Sequence, residues 1–167
     1  MECFDFAVTE VLKFEGGYSN DPDDPGGETK YGISKRSFPD IDIAALTKDE
    51  AKKIYYEDYW IEAKCDKMPY AVAIVVFDAA VNQGIRRASK AVQKAARSVP
   101  DGVIGPKTLR AINNSFENNP ERLIDDVCAA RGRMYAMLSK QLIDIYSYGW
   151  FRRLFHIHKI ALSYGKS

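Results

Sequence analysis

One segment of this 167-residue chain constrains the fold more than any other. Residues 70–83 are apolar on nearly every side, and Pro69 precedes them at a position that suits the first turn of a helix. The run is longer than a typical strand and far too short to cross a bilayer. Because a helix that is apolar all round must be covered by other elements, this segment predicts a domain built around a central buried helix.

Apolar residues recur at helical spacing along most of the remaining chain, which predicts a mainly α fold. Residues 47–50 read Thr-Lys-Asp-Glu, a capping box that opens one of these helices. We found no strand-like alternation outside residues 18–34, where a small β-hairpin would fit. The helices predicted beside the central one cover residues 4–15, 47–63, 88–99, a short stretch from Pro106, 120–142 and a final stretch from about Trp150.

The segment between the first two helices has a different composition. Residues 18–34 read YSNDPDDPGGETKYGIS, and they are dense in the residues that form turns. A loop of this length inside a compact domain is more often functional than a mere connection. Glu15 stands just before it, one step further along the apolar stripe of the first helix, so its carboxyl is expected to face the core side.

Two carboxyls in contrasting surroundings would suit cleavage of a glycosidic bond. An apolar setting disfavours the charged form, so Glu15 is expected to hold a proton and to act as a general acid. Asp24 lies nine residues on, in a polar turn where it would stay ionised. Thr29 offers a hydroxyl that could hold a water molecule.

Other readings of the same residues stay open on spacing alone. Glu15 could be an ordinary carboxylate at a helix end. Asp21, Asp23 and Asp24 could form turns or bind Ca²⁺, although they lack the full calcium-loop pattern. The sequence therefore predicts no metal and no cofactor.

Charge and cysteine usage narrow the function classes. Residues 1–66 hold 16 acidic and 8 basic residues, whereas residues 67–167 hold 7 acidic and 16 basic ones. A cationic second half suggests a polyanionic partner such as a bacterial envelope polymer, a membrane surface or nucleic acid. Without a helix-turn-helix or zinc-finger signature we expect no nucleic-acid partner and no membrane insertion. The three cysteines lack the spacing of a zinc site and are expected to be buried thiols.

Residues 15–34, from Glu-Gly-Gly-Tyr to Lys-Tyr-Gly-Ile-Ser, strongly resemble the signature of glycoside hydrolase family 108, whose members are phage endolysins and related bacterial proteins, some labelled secretion activators. The likeness continues through residues 77–84. Residues 101–109 resemble that family's C-terminal peptidoglycan-binding segment, and residues 149–153 resemble its closing motif.

The resemblance implies a lysozyme-like, mostly helical fold and N-acetylmuramidase activity, with Glu15 as the catalytic acid. The Glu, Asp and Thr arrangement also resembles the catalytic set of T-even phage lysozymes. Asp24 stands at the distance from Glu15 that this set requires, whereas Thr29 is one residue closer to Asp24. Asp23 remains a rival to Asp24 as the second carboxylate.

Three further residues are candidates for contacts with a sugar. Asn82 carries an amide that can both donate to and accept from an N-acetyl group, although it could equally cap the end of the central helix. Tyr18 and Tyr31 lie in the signature loop and offer rings on which sugars stack, whereas most other aromatic residues are expected in the core.

The sequence thus predicts a muramidase that cleaves the β-1,4 bond between N-acetylmuramic acid and N-acetylglucosamine in peptidoglycan glycan strands. The alternatives are a lytic transglycosylase and a non-catalytic protein that binds peptidoglycan or assists secretion. Residues 1–87 would form the catalytic part and residues 88–167 a helical peptidoglycan-binding part, packed as one compact monomer. With no signal peptide visible, we expect synthesis in the cytoplasm and action on the periplasmic cell wall after release.

Overall fold

The computed structural model of the chain describes residues 2–20 and 27–165. They fall into two compact units, Met1–Asp58 and Tyr59–Ser167. The described residues are mostly helical, and their strands form a single two-stranded antiparallel sheet. The predicted mainly α fold with a small β-hairpin is therefore confirmed, and it is consistent with the lysozyme-like fold that the resemblance implies.

Helix α1 (Glu2–Leu12) opens the first unit and buries the apolar stripe that the sequence showed. The helix ends earlier than predicted, however, and the two glycines at 16 and 17 do not terminate it. The N–H groups of Lys13 and Phe14 donate to the carbonyls of Glu10 and Val11, three residues back, so the last turn tightens. Glu15 consequently lies in a bend beyond the helix, not on its last turn.

The hairpin in the signature loop consists of β1 (Thr29–Lys30) and β2 (Ile33–Ser34). Its two turn residues, Tyr31 and Gly32, both have positive φ, at 53° and 76°. This combination is the one that a type I′ turn needs, and its twist matches that of paired strands. Ser19 and Thr29 exchange two backbone hydrogen bonds of 2.8 Å, which extends the pairing on the other side of β1.

Helix α2 (Lys48–Ile54) begins at the predicted capping box. The Thr47 hydroxyl accepts from the N–H of Glu50, and the Glu50 carboxylate accepts from the N–H of Thr47. The Thr47 hydroxyl also donates to the Glu50 carboxylate at 2.7 Å, and this bond, together with the one from the Thr47 N–H, lowers the pKa of Glu50. The helix does not run evenly to residue 63 as predicted, because it widens into a π-helical segment at Tyr55–Ile61.

The second unit contains a short 3₁₀ helix (Cys65–Lys67) and five α-helices. Helix α3 matches the predicted central helix in its bounds, and each of its residues from 71 to 80 is buried. It packs against α4, α6 and α7, which cover it from several sides. The five helices are α3 (Tyr70–Gln83), α4 (Ile85–Ala95), α5 (Pro106–Asn118), α6 (Pro120–Ala136) and α7 (Lys140–Tyr164).

The boundary between α6 and α7 differs from the predicted one. A helix over 120–142 followed by a helix from about Trp150 was wrong, since α6 ends at Ala136 and α7 begins at Lys140. Ser139 caps α7 by accepting from the N–H of Leu142. Because apolar residues continue at helical spacing through this break, the periodicity alone did not reveal it.

A charged cluster lies in the core of the second unit. The Asp78 carboxylate of α3 accepts from Nη2 of Arg131 at 2.6 Å and from Nε of Arg153 at 2.7 Å. Asp78 and Arg131 are fully buried and Arg153 nearly so. The cluster ties α3 to α6 and α7, and it holds one carboxylate against two guanidinium groups.

None of the three cysteines forms a disulfide; Cys65 and Cys128 are buried, as predicted, whereas Cys3 is only half-buried. Burial raises the pKa of both Cys3 and Cys128 to about 12, so these two thiols stay protonated at neutral pH. Across residues 2–20 and 27–165, no helix is both long and apolar enough to span a membrane.

Candidate active site

The carboxyl of Glu15 lies against the hairpin turn of the first unit. Glu15 is half-buried. A Cβ atom placed on Gly32 would lie 2.5 Å from Oε2 of Glu15 and 2.6 Å from the hydroxyl oxygen of Tyr55. The Glu15 carboxyl and the Tyr55 hydroxyl therefore both lie next to Gly32, in space that the side chain of any larger residue at this position would occupy.

Tyr55 anchors the hairpin turn beside Glu15. Its ring is buried, and its hydroxyl donates to the backbone carbonyl of Tyr31 at 2.7 Å. The bond joins the start of the π-helical segment to the turn that carries Gly32. Tyr55 thus fixes the turn beside which the Glu15 carboxyl lies.

Thr29 and Tyr31 lie on the same hairpin, whereas Tyr18 lies beside Ser19, the residue that pairs with β1. Thr29 is half-buried in β1, and its hydroxyl donates to the carbonyl of Gly27 at 3.2 Å. The Tyr31 ring lies 5.7 Å from the ammonium of Lys30. Tyr18 is half exposed, and its hydroxyl donates to Glu28 at 2.7 Å, which raises the pKa of the phenol by favouring its protonated form.

The second carboxylate of the predicted set lies outside the described residues. Asp24 and its rival Asp23 both lie outside the described residues, and so does Asp21. Among the residues that are described, no group of three or more histidine, cysteine, aspartate or glutamate side chains is arranged to hold a metal ion.

Replacing Gly32 with alanine tests the close approach of Glu15 to the turn. The added methyl group would clash with the Glu15 carboxyl and the Tyr55 hydroxyl, and the left-handed backbone would cost roughly 1–2 kcal/mol. We expect Gly32→Ala to lower cell-wall cleavage by at least about tenfold, the cost of roughly 1.4 kcal/mol in the transition state. Turbidity clearance of a cell-wall suspension measures it.

The matched control is Gly27→Ala, because Gly27 also has a positive φ, 67°, yet a Cβ there would meet nothing within 4 Å. This control should carry the backbone strain alone and keep most of the activity. Equal losses in the two variants would show that proximity to Glu15 is not what makes Gly32 necessary.

Asn82 lies in the second unit, in the last turn of α3. Its side-chain oxygen accepts from the Tyr135 hydroxyl at 2.6 Å, and the residue lines a pocket together with Trp150. Asn82 does not cap α3, because the helix continues to Gln83 and Gly84 occupies the C-cap position.

Comparison with known proteins places these residues in a family. The family model described as "Glycosyl hydrolase 108" matches residues 2–84, which include Glu15, the hairpin and Asn82. A solved structure titled "Structure of Brucella abortus SagA" is 32% identical, with a TM-score of 0.86, over 98% of this chain and 96% of that one. The chain belongs to the glycosyl hydrolase 108 family. No curated protein matches it significantly.

A second family model, described as "Predicted Peptidoglycan domain", matches residues 87–155. The two matched segments meet at the turn between α3 and α4, and together they support a glycoside hydrolase with a role in peptidoglycan cleavage or binding. The predicted division of the chain at residue 87 into a catalytic and a binding part stays a prediction.

Sequence reasoning missed two residues that shape the site. Gly32 lies between Tyr31 and Ile33, and a glycine within a strand-like segment is a turn signal. Its proximity to Glu15, however, depends on the fold. Tyr55 follows the capped helix α2 and looks like an ordinary core aromatic residue, so nothing local indicates its bond to the turn.

Proposed function

We propose that the protein is an N-acetylmuramidase that hydrolyses the β-1,4 bond between N-acetylmuramic acid and N-acetylglucosamine in peptidoglycan. The observation that carries the proposal is the setting of Glu15. This carboxyl lies in the glycosyl hydrolase segment, half-buried against Gly32 and Tyr55, on a turn held by a hydrogen bond. A carboxyl in a restricted, partly desolvated position suits a general acid.

In the proposed mechanism Glu15 donates its proton to the glycosidic oxygen as the bond breaks. The positive charge that develops on the sugar ring needs a carboxylate or an activated water on the other side. Asp24 is proposed for this role, with Asp23 as its rival. Thr29 is proposed to help place the water, and because its proton is directed to the Gly27 carbonyl, its oxygen would accept from that water.

Tyr18, Tyr31 and Asn82 are proposed to contact the glycan, the tyrosines through their rings and the asparagine through its amide. Glycan strands of peptidoglycan are the proposed partner. We also propose that the protein acts on the cell wall in the periplasm after release from the cytoplasm.

Product analysis of digested sacculi separates the proposed reaction from its alternatives. Hydrolysis by a muramidase should release fragments that end in a reducible N-acetylmuramic acid, detected by mass spectrometry before and after borohydride treatment. Anhydro ends that resist borohydride would establish a lytic transglycosylase instead. Binding to sacculi with no released fragment would establish a protein that only binds the wall.

A further inference from the structure

A pocket of about 300 Å³ opens in the second unit. The end of α3 supplies Asn82, the start of α4 supplies Arg87, and α7 supplies Trp150. The end of α6 and the turn after it provide an apolar wall of Met134, Tyr135 and Leu138. The pocket therefore joins the last residues of the glycosyl hydrolase segment to the peptidoglycan segment.

The charge around this pocket is positive. Arg87 is exposed and is the sole charged residue among those that line it. Gln83, which also lines the pocket, donates to the carbonyl of Arg131 and accepts from its Nε, at 3.3 and 3.4 Å. With no carboxylate in the lining, the pocket favours an anionic ligand.

The amide of Asn82 is oriented by the protein. The Tyr135 hydroxyl donates to its oxygen at 2.6 Å, and burial raises the pKa of that phenol, so it remains a donor. The NH₂ group of Asn82 is thus the end of the amide that a carbonyl oxygen of a ligand would meet. The oriented NH₂ group of Asn82 is therefore suited to donate a hydrogen bond to the oxygen of an acyl group.

A stack of aromatic rings supports the same pocket. Trp150 lies between Tyr135 and Tyr146, with ring centroids 5.1 and 5.7 Å away, and both pairs are close to parallel. Tyr135 is buried and Tyr146 is half exposed, so the stack leads from the core to the surface beside the pocket. Such a stack offers an apolar surface that does not change shape when a ligand covers it.

We propose that this pocket binds the muramyl-peptide portion of peptidoglycan. A carboxylate of the ligand would pair with Arg87, an acyl oxygen would accept from Asn82, and its apolar groups would lie on Trp150 and Met134. Muramyl peptides carry amides, methyl groups and free carboxylates together, whereas the glycan of N-acetylglucosamine alone has no carboxylate. The identity of the polymer rests on the proposed function. The pocket would bind the sugar that carries the peptide.

The test is the binding of muramyl dipeptide to the full chain, compared with diacetylchitobiose as a neutral N-acetylated ligand. Titration followed by calorimetry gives the affinity, and the indole N–H signal of Trp150 in NMR spectra reports the location. We expect muramyl dipeptide to bind at least about tenfold more tightly than diacetylchitobiose and to shift that signal. Arg87→Ala should weaken the binding of muramyl dipeptide at least about tenfold, since bonds to charged groups are the strong ones.

Arg152→Ala is the matched control, because Arg152 is an exposed arginine of α7 that does not line the pocket. It removes the same charge and should leave the affinity unchanged. Equal binding of the two ligands, unchanged binding by Arg87→Ala, or equal losses in both arginine variants would each overturn the assignment.

The same proteins, digested with sacculi, keep this inference separate from the muramidase proposal. Normal reducing ends without muramyl dipeptide binding would remove the pocket assignment alone. Binding at Trp150 without any cleavage would remove the muramidase proposal and leave the pocket assigned.

Discussion

Glu15→Gln is expected to abolish cell-wall cleavage while leaving the fold intact. Glutamine has nearly the same shape as glutamate but carries no acidic proton, so it cannot protonate the leaving oxygen. General acid catalysis contributes about 10²–10⁴-fold to a rate, and we expect a loss of at least about 100-fold. Initial rates of turbidity clearance measure the activity, and circular dichroism with thermal unfolding checks the structure.

The matched control for this variant is Glu57→Gln, because Glu57 is an exposed carboxyl of the same unit and lies in the π-helical segment. It loses the same charge and should clear the suspension at the wild-type rate. A Glu15→Gln protein that retains near wild-type activity would remove Glu15 from the mechanism. The acid would then have to be sought elsewhere in the signature loop.

Asp78→Asn is expected to cause the largest loss of stability of any single substitution discussed here. The change removes the negative charge of Asp78 and so breaks the ion pair with the fully buried guanidinium of Arg131, as well as the charged hydrogen bond from Arg153. Breaking a buried pair in this way costs about 3–5 kcal/mol, a large fraction of the stability of an ordinary domain. Urea unfolding followed by tryptophan fluorescence measures the difference.

Asp125→Asn provides the comparison, because the Asp125 carboxylate lies 2.6 Å from Nε2 of His158 in a polar contact but is more than half exposed. Exposed pairs contribute about 0–1 kcal/mol, so this variant should unfold near the wild-type midpoint. If Asp78→Asn unfolded at the same urea concentration as Asp125→Asn, the buried cluster would not stabilise the fold.

The central helix shows what the sequence could predict well. Residues 70–83 are apolar on nearly every side, and this pattern leaves a buried helix as the simplest solution, which the structure has with the same bounds. Asp78 and Arg131 were also visible as charges at core positions of two apolar helices. Their pairing was not visible, because 53 residues separate them and only the packing of α3 against α6 brings them together.

The candidate site was predictable where its residues are close together in the chain. Glu15 and the turn-rich loop follow one another in the chain, so the loop residues and the hairpin could be placed near the acid from sequence. Tyr55 is 24 residues from the carbonyl that it holds, and no local pattern encodes that bond. The break at Ser139 was lost because a helical period continued across it, although a serine three residues before Leu142 was the capping signal.

The burial of α3 has a consequence for how such proteins can be recombined. The glycosyl hydrolase match ends at residue 84, directly after this helix, whereas the helices that cover it belong mostly to the following match. A fragment that ended at residue 84 would expose the apolar side chains of residues 71–80 to solvent. Chimaeras that exchange the second matched segment between relatives should therefore transplant α3 together with its surrounding helices.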